Sequence, residues 1–224
     1  MRKVKIKEIE KEYGISEAYK SIRTNLQFCR GEKKIISVTS CLENEGKSTV
    51  VLNLAAALAE TGKRVVILDA DLRKSILRER TVVDPEMKGL AHYLSGQATM
   101  KEIICETDIK NLYLVYAGAV PPNPSELLCS NRFKNTLHSL NKVFDIILID
   151  TPPLGKVIDG AIIAEASEGA VLVIESDKVS YRFARDVKKQ LEKSNCPILG
   201  VVLNKVEMTS NPYYGKKYEY KKED

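Results

Sequence analysis

Six short runs of apolar and largely β-branched residues recur along the chain and alternate with stretches of helical periodicity. The runs cover residues 35–40, 64–69, 112–116, 145–150, 169–175 and 198–204. Strands that are apolar throughout are typical of a parallel sheet that is buried on both faces. The alternation therefore predicts a doubly wound α/β fold, with a mainly parallel sheet and helices on both faces.

The helical stretches between these runs are 47–61, 125–140 and 181–194, and a further helix is predicted at about 15–29, before the first run. Gly62 stands where a glycine commonly ends a helix, just before the second run. We expect residues 1–206 to form one domain. Residues 207–224 are polar and lack hydrophobic periodicity, which predicts a disordered tail.

Charge and composition exclude several classes of protein. The net charge of +5 lies entirely within residues 1–34, which indicates a solvated helical segment with mixed charges and no nucleic-acid partner. No run approaches the roughly 18 apolar residues of a membrane span, and the N-terminus lacks a signal-peptide pattern, so we expect a cytoplasmic protein. The five cysteines are scattered, which indicates reduced thiols, and the isolated His92 and His138 are not expected to bind metal.

The strongest motif is TSCLENEGKST at residues 39–49, between a predicted strand and a predicted helix. In that context, backbone N–H groups of the loop and the helix N-terminus converge on phosphate oxygens. Loop residues Glu45 and Gly46 would surround the phosphates, Lys47 would reach the β- and γ-phosphates, Ser48 would hold Mg²⁺, and Thr49 would contact the α-phosphate side. Cys41 replaces the first glycine of the usual phosphate-loop consensus.

Three aspartates follow apolar runs and complete the predicted site. Asp69 and Asp71 lie at the end of the second run, and Asp150 ends the fourth. The carboxyl ends of parallel strands gather at one edge of the sheet, where ligands bind. Three carboxylates beside a phosphate loop require a cation, and Mg²⁺ keeps several waters through which carboxylates can act. The sequence therefore predicts a site for ATP and Mg²⁺.

Together these motifs resemble the deviant P-loop ATPases, and within them the bacterial tyrosine kinases of capsule and exopolysaccharide systems. Asp69-Ala-Asp71-Leu-Arg73 is similar to their Walker A′ motif, and Asp150 to their Walker B aspartate. The resemblance implies that Asp69 accepts the tyrosine proton and that Asp71 and Asp150 hold water-bound Mg²⁺, with Lys47 in the catalytic set. It also implies that Asn204 reads adenine, although an asparagine there could instead cap the exit from the sheet.

Further segments of this resemblance concern substrate and assembly. The tail carries a cluster similar to an autophosphorylated tyrosine cluster, and 20 flexible residues span about 25 Å, enough to suit a neighbouring subunit's site. An N-terminal motif approximates the family's ring-forming helix, and residues 122–128 resemble an interface segment. Lysine at the second motif position lacks the bidentate fork of arginine, so that contact should be weaker. The tyrosines are Tyr213, Tyr214, Tyr218 and Tyr220, and the helix residues are Glu17, Lys20 and Arg23.

The resemblance also implies a ring-like homo-oligomer, a membrane-anchored activator of the polysaccharide co-polymerase class that recruits the chain to the inner face of the membrane, and a tyrosine phosphatase. The implied function is a cytoplasmic tyrosine kinase that autophosphorylates in trans and regulates polysaccharide synthesis or export. Two alternatives stay open. A MinD/ParA-like ATPase switch shares the loop and the aspartates but usually has a signature lysine where Thr39 to Cys41 stand. The second alternative is a non-catalytic scaffold.

Overall fold

The structure is a computed structural model that describes residues 2–7, 9, 12–29, 33–84 and 86–206. Within these residues the strands form one nine-stranded sheet in the order β4-β1-β5-β6-β3-β7-β2-β8-β9. The strands are β1 (Arg2–Ile6), β2 (Ile35–Ser40), β3 (Val65–Asp69), β4 (Thr81–Val82), β5 (Ile104–Thr107), β6 (Leu112–Val115), β7 (Ile146–Asp150), β8 (Gly169–Glu175) and β9 (Ile198–Asn204).

The helices cover both faces of this sheet, as the alternation of the sequence predicts. They are α1 (Tyr13–Phe28), α2 (Lys47–Ala59), α3 (Leu90–Leu94), α4 (Met100–Ile103), α5 (Pro124–Cys129), α6 (Asn131–Asn141), α7 (Asp159–Glu165) and α8 (Tyr181–Glu192). Helices α1 and α2 pack on one face, and α3 to α8 supply the core of the other face. None of the helices in the described part of the chain is long and apolar enough to cross a membrane.

The sheet is mainly parallel, which confirms the predicted fold class. Strands β6, β3, β7, β2, β8 and β9 run parallel to one another, whereas the β1–β4 and β5–β6 pairs are antiparallel. Strands β3, β7 and β2 are buried along their whole length because helices cover both of their faces. All five cysteines are free, as their spacing indicates.

Two expectations about local structure are wrong. The predicted helix 125–140 is two helices, because Ser130 adopts an extended backbone with ψ of 150° and caps the start of α6. The charged N-terminus is not wholly a solvated helix, because Arg2–Ile6 form β1. In β1, Val4 and Ile6 are buried, whereas Lys3 and Lys5 are exposed.

Several short elements have no counterpart in the prediction, namely β4, β5, α3, α4 and α7. Each is seven residues or shorter and lies in a connection between the predicted runs. The division into a domain of residues 1–206 and a tail of 207–224 stays a prediction, because the tail and its four tyrosines lie outside the described residues.

We expect Ser130→Ala to lower the free energy of unfolding by about 1 kcal/mol, measured by urea denaturation. The Ser130 hydroxyl accepts a hydrogen bond from the Phe133 N–H at 3.3 Å, and alanine would leave that donor without its cap. The control is Ser139→Ala in the same helix, because the exposed Ser139 hydroxyl donates to the Asn135 carbonyl of its own helix and caps no helix end. A Ser130 variant as stable as the Ser139 variant would contradict the capping role.

Candidate active site

The loop between β2 and α2 is held in a concave shape by its own side chains. Asn44 and Gly46 have φ values of 64° and 84°, in the left-handed region that bends a chain sharply. The buried Glu45 carboxylate accepts hydrogen bonds from the Leu42 N–H at 2.6 Å and the Glu175 N–H at 3.2 Å. Glu45 therefore ties the loop to the end of β8, and α2 begins directly afterwards at Lys47.

The predicted acidic residues meet beside this loop. Strands β3 and β7 are neighbours, and their register places Asp69 directly opposite Asp150. Both carboxyl groups are buried, and Asp71 lies two residues beyond the end of β3. The Lys47 side chain donates a hydrogen bond to Asp150 Oδ1 and another to Ser48 Oγ at 3.3 Å. The structure thus brings Lys47, Ser48 and all three aspartates to one edge of the sheet.

The buried carboxyl groups in this cluster resist ionisation. Burial raises the pKa of Asp69 to about 8, and the neighbouring Asp150 charge adds to the effect, while a hydrogen bond from the Ser75 hydroxyl opposes it. Burial also raises the pKa of Asp150, and the ammonium group of Lys47 opposes that rise. A cation beside these groups would relieve the cost of burying their negative charge.

The oxygen donors of the cluster fit Mg²⁺ if water and phosphate oxygens complete its coordination. In the described ranges, no group of three or more His, Cys, Asp or Glu side chains is arranged to enclose a metal alone. Mg²⁺ usually takes one or two protein carboxylates and completes its octahedron with water and phosphate oxygens. Ser48, Asp71 and Asp150 are therefore suitable ligands only when a nucleotide supplies the remainder.

A cavity of about 690 Å³ adjoins this cluster and fits a nucleotide by its lining. Residues 42–49 of the loop and the start of α2 form one side, including the predicted phosphate ligands Glu45, Gly46 and Thr49. Asp71, Arg73 and the end of β9 form other parts of the wall. A Cβ added at Gly46 would overlap the Asn204 side chain. Only glycine therefore allows Asn204 to pack this closely against the loop backbone.

Asn204 lies in this wall at the end of β9. Its side-chain amide donates a hydrogen bond to the Glu45 carbonyl at 2.9 Å, so the residue helps to hold the phosphate loop. Its predicted contact with adenine stays a prediction, as do the catalytic and metal-binding roles of the other residues.

The three predicted oligomer residues lie on α1 and make contacts within their own chain. Lys20 pairs with Glu17 at 2.7 Å, and both side chains are partly exposed. Arg23 donates to the Ala57 carbonyl at 2.7 Å, in the last turn of α2, and its side chain is only 19% exposed. Arg23 therefore anchors α1 on α2, and the predicted intersubunit role of all three stays a prediction.

The structure adds polar groups at the site that the sequence interpretation did not single out. Glu43 at the loop tip accepts hydrogen bonds from Lys156 at 3.0 Å and Lys74 at 3.3 Å, and these bonds lower its pKa. Arg73 pairs with Asp159, which begins α7. The sequence analysis names Arg73 as the last residue of the Asp-Ala-Asp-Leu-Arg motif but gives it no role, and the sequence carries no comparable signal for Asp159.

Comparisons with known proteins agree with this geometry. A family model described as an AAA domain matches residues 33–195. The tyrosine-protein kinase CpsD of Streptococcus agalactiae is 42% identical over 206 residues, which cover 90% of this chain and 90% of that protein. The crystal structure of the chimerical protein CapA2B2 is 31% identical, with a TM-score of 0.84, and the match covers 90% of this chain and 92% of that one.

A more distant solved structure is the septum site-determining protein MinD from Pyrococcus horikoshii, complexed with Mg-ADP. It is 30% identical with a TM-score of 0.64, and the match covers 76% of this chain and 69% of that one. The P-loop nucleotide-binding fold is therefore confirmed. The overall shape agrees more closely with the chimerical protein than with MinD.

We expect Gly46→Ala to weaken binding of a fluorescent ATP analogue by about 30- to 100-fold. Left-handed backbone strain costs about 1–2 kcal/mol and the lost Asn204 hydrogen bond about 1 kcal/mol, while 1.4 kcal/mol is a factor of ten. The control is Gly62→Ala, whose φ of 86° brings the same strain but whose added Cβ meets nothing within 4 Å. That variant should lose stability and keep its affinity; equal affinities in both variants would contradict the loop's role.

Proposed function

Because this chain belongs to the bacterial tyrosine-kinase family, and is thus itself a protein-tyrosine kinase, we propose that it transfers the γ-phosphoryl group of Mg²⁺–ATP to tyrosines in the C-terminal tail of a neighbouring copy. The observation that carries the proposal is the placement of Asp69 directly opposite Asp150, with Lys47 donating to Asp150. Phosphoryl transfer needs positioning, charge neutralisation and one group that orients the nucleophile, and this cluster offers all three.

Each residue of the cluster has a separate task in this proposal. Asp69 is a fully buried carboxyl group held by the Ser75 hydroxyl. Ionised beside the bound metal, it would accept the proton of the incoming tyrosine. Lys47, which donates to Asp150 here, would bind the β- and γ-phosphates of a bound nucleotide, and the Asp150 carboxylate would then be free to hold the metal. A rigid strand end suits a general base, because its effect depends on hydrogen-bond reach to the nucleophile.

The nucleotide and its metal would supply the phosphoryl group and neutralise its charge. Ser48, Asp71 and Asp150 would hold the metal, with waters completing its coordination. The N–H groups from Glu45 to Thr49 would bind the phosphates, and Asn204 would face the adenine side. Asn204 binds the Glu45 carbonyl of the loop and also lines the cavity. The contact with adenine and the shape of the loop would therefore depend on the same residue.

The acceptor tyrosines in this proposal are Tyr213, Tyr214, Tyr218 and Tyr220, which lie outside the described residues. The last described residue, Val206, lines the same cavity as the phosphate loop, so the chain continues from the edge of its own site. Both cis and trans phosphorylation are therefore geometrically open, and the trans reaction is proposed from the family resemblance. Glu17, Lys20 and Arg23 on α1 would contribute to a ring that brings a neighbour's tail to the site.

The same resemblance supports the cellular part of the proposal. A membrane-anchored activator of the polysaccharide co-polymerase class would bring the chain from the cytoplasm to the inner face of the membrane, and a tyrosine phosphatase would reverse the modification. Cycles of phosphorylation would then regulate capsular or exopolysaccharide synthesis. Negative charge added to the tail would disfavour its return to the acidic site, which gives a physical reason for release after modification.

Trans phosphorylation is tested by mixing two variants, one without a working active site and one without acceptor tyrosines. The Lys47→Met variant keeps its tail and lacks the lysine that would reach the β- and γ-phosphates, while the other variant has all four tail tyrosines changed to Phe and an intact site. With Mg²⁺–ATP, we expect phosphotyrosine to appear on the Lys47→Met chain only in the mixture, detected by intact-mass spectrometry. Label that appears only in wild-type chains would indicate a cis reaction, and no phosphotyrosine in any sample would favour the ATPase switch.

The role of Asp69 is tested by Asp69→Asn. Loss of a general base costs about 10²- to 10⁴-fold, so we expect at least a 100-fold fall in the rate of tyrosine phosphorylation, with ATP affinity changed only a few-fold. The control is Asp108→Asn, because the Asp108 carboxylate accepts a hydrogen bond from the Ile6 N–H at 3.0 Å at the opposite edge of the sheet. An Asp69 variant that keeps the wild-type rate would assign the base elsewhere.

A further inference from the structure

Arg73 is held at the wall of the active-site cavity by two residues from distant parts of the chain. Its Nε donates to Asp159 Oδ2 at 2.7 Å, and its Nη2 donates to Asp159 Oδ1 at 3.3 Å and to Ser125 Oγ at 2.9 Å. The Ser125 hydroxyl donates in turn to Asp159 Oδ1 at 2.6 Å. Three elements, the segment after β3 and the first turns of α5 and α7, therefore meet at one guanidinium group.

The burial of the partners shows that this arrangement is asymmetric. The Asp159 side chain is fully buried, whereas the Arg73 side chain is 41% exposed. A half-exposed arginine needs no buried anion, because water can solvate it, but a buried carboxylate must be paired and hydrogen-bonded. Asp159 loses its hydration on burial. In return, its ion pair with Arg73 holds the guanidinium group in a fixed orientation.

An unheld Arg73 would have another carboxylate within reach. The Asp71 Oδ1 already accepts hydrogen bonds from the backbone N–H groups of Arg73 at 3.3 Å and Lys74 at 3.0 Å. The pKa of Arg73 is raised chiefly by its hydrogen bond with Asp159, and the Asp71 charge also contributes. Without Asp159 and Ser125, the guanidinium would be drawn to Asp71 and would compete with the cation that this residue is proposed to hold.

We infer that Asp159 and Ser125 are positioning residues, which keep Arg73 away from Asp71 and present its Nη1 edge to the transferring phosphoryl group. Within the described residues, the side-chain hydrogen bonds of Arg73 are donated by Nε and Nη2, and Nη1 donates none. A planar guanidinium that is fixed through Nε and Nη2 can offer the N–H groups of Nη1 to an anion without further loss of rotational freedom. The inference rests on the proposed function, because it concerns the same phosphoryl transfer.

The test is a double-mutant cycle of Asp159→Asn and Arg73→Ala, read as kcat for tyrosine phosphorylation and as ATP affinity. Misplacement of a charge-stabilising group can cost on the order of 100-fold, so each single variant should lose about that factor in kcat and keep ATP affinity within a few-fold. If Asp159 acts through Arg73, the double variant is no slower than Arg73→Ala alone. Ser125→Ala should give a smaller loss that also disappears in the Arg73→Ala background.

The matched control is Glu168→Gln. The Glu168 carboxylate accepts hydrogen bonds from the Lys34 N–H at 2.6 Å and the Ile35 N–H at 3.4 Å, at the start of β2 and away from the phosphate loop. Its neutralisation should lower stability without changing kcat. Losses that multiply in the Asp159–Arg73 double variant would overturn the inference, because Asp159 would then act through the fold and not through Arg73.

A second readout separates this inference from the proposed acceptor. Release of inorganic phosphate from ATP to water uses the same phosphoryl group but needs no tyrosine. If the wild-type chain modifies no tail tyrosine, the proposed acceptor fails, and the same cycle is judged on phosphate release. If Asp159→Asn does not fold, the Ser125→Ala and Arg73→Ala cycle decides, and multiplying losses there overturn the inference equally.

Discussion

The carboxyl groups of Asp69 and Asp150 are buried next to each other at the ends of two neighbouring strands, and much of the site follows from this pairing. Two buried carboxylates repel each other and lose hydration, and Lys47 provides one positive charge beside them. Burial therefore raises the pKa values of both carboxyl groups. In the proposed function, a nucleotide that brings its own metal would offset this negative charge and would supply the phosphoryl group.

The phosphate loop depends on β8 and β9 as much as on its own sequence. The Glu45 side chain binds the Glu175 N–H at the end of β8, and Asn204 at the end of β9 binds the Glu45 carbonyl. Lys205 adds a bond to the Asn44 carbonyl at 2.7 Å. Residues at the end of β9 and just after it therefore shape the loop, although they lie about 160 residues from it in the sequence.

Two kinds of ion pair surround the cavity, and they contribute differently. Glu43 with Lys74 and Lys156 is exposed, and such pairs contribute little to stability because water and salt screen them. They can open and close across the loop tip at little cost. The Arg73–Asp159 pair has one fully buried partner, and breaking it leaves a buried charge without its counter-ion. The first set leaves the mouth of the site adjustable, and the second fixes one cation in place.

The sequence by itself determined the features that depend on local pattern. The buried strands β2, β3, β7 and β8 were predicted because helices cover both of their faces, so each reads as an apolar run. The edge strand β9 was predicted from the same kind of run, but none of its residues is buried and Val201 and Leu203 are exposed. The phosphate loop and the strand-end aspartates were predicted because their spacing is tied to a strand–loop–helix unit. Strand β1 was missed because only one of its faces is buried, and its alternating lysines conceal the pattern.

Only the tertiary structure decided the contacts between distant segments. Asp159 lies 86 residues from Arg73, and Ser125 lies 34 residues from Asp159, so no local spacing connects them. The same holds for Asn204, which binds a carbonyl 159 residues away. Local pattern specifies which residues lie at the end of a strand or the start of a helix. Which of these ends become neighbours depends on the order and register of the strands, and that order is set by packing over the whole sheet.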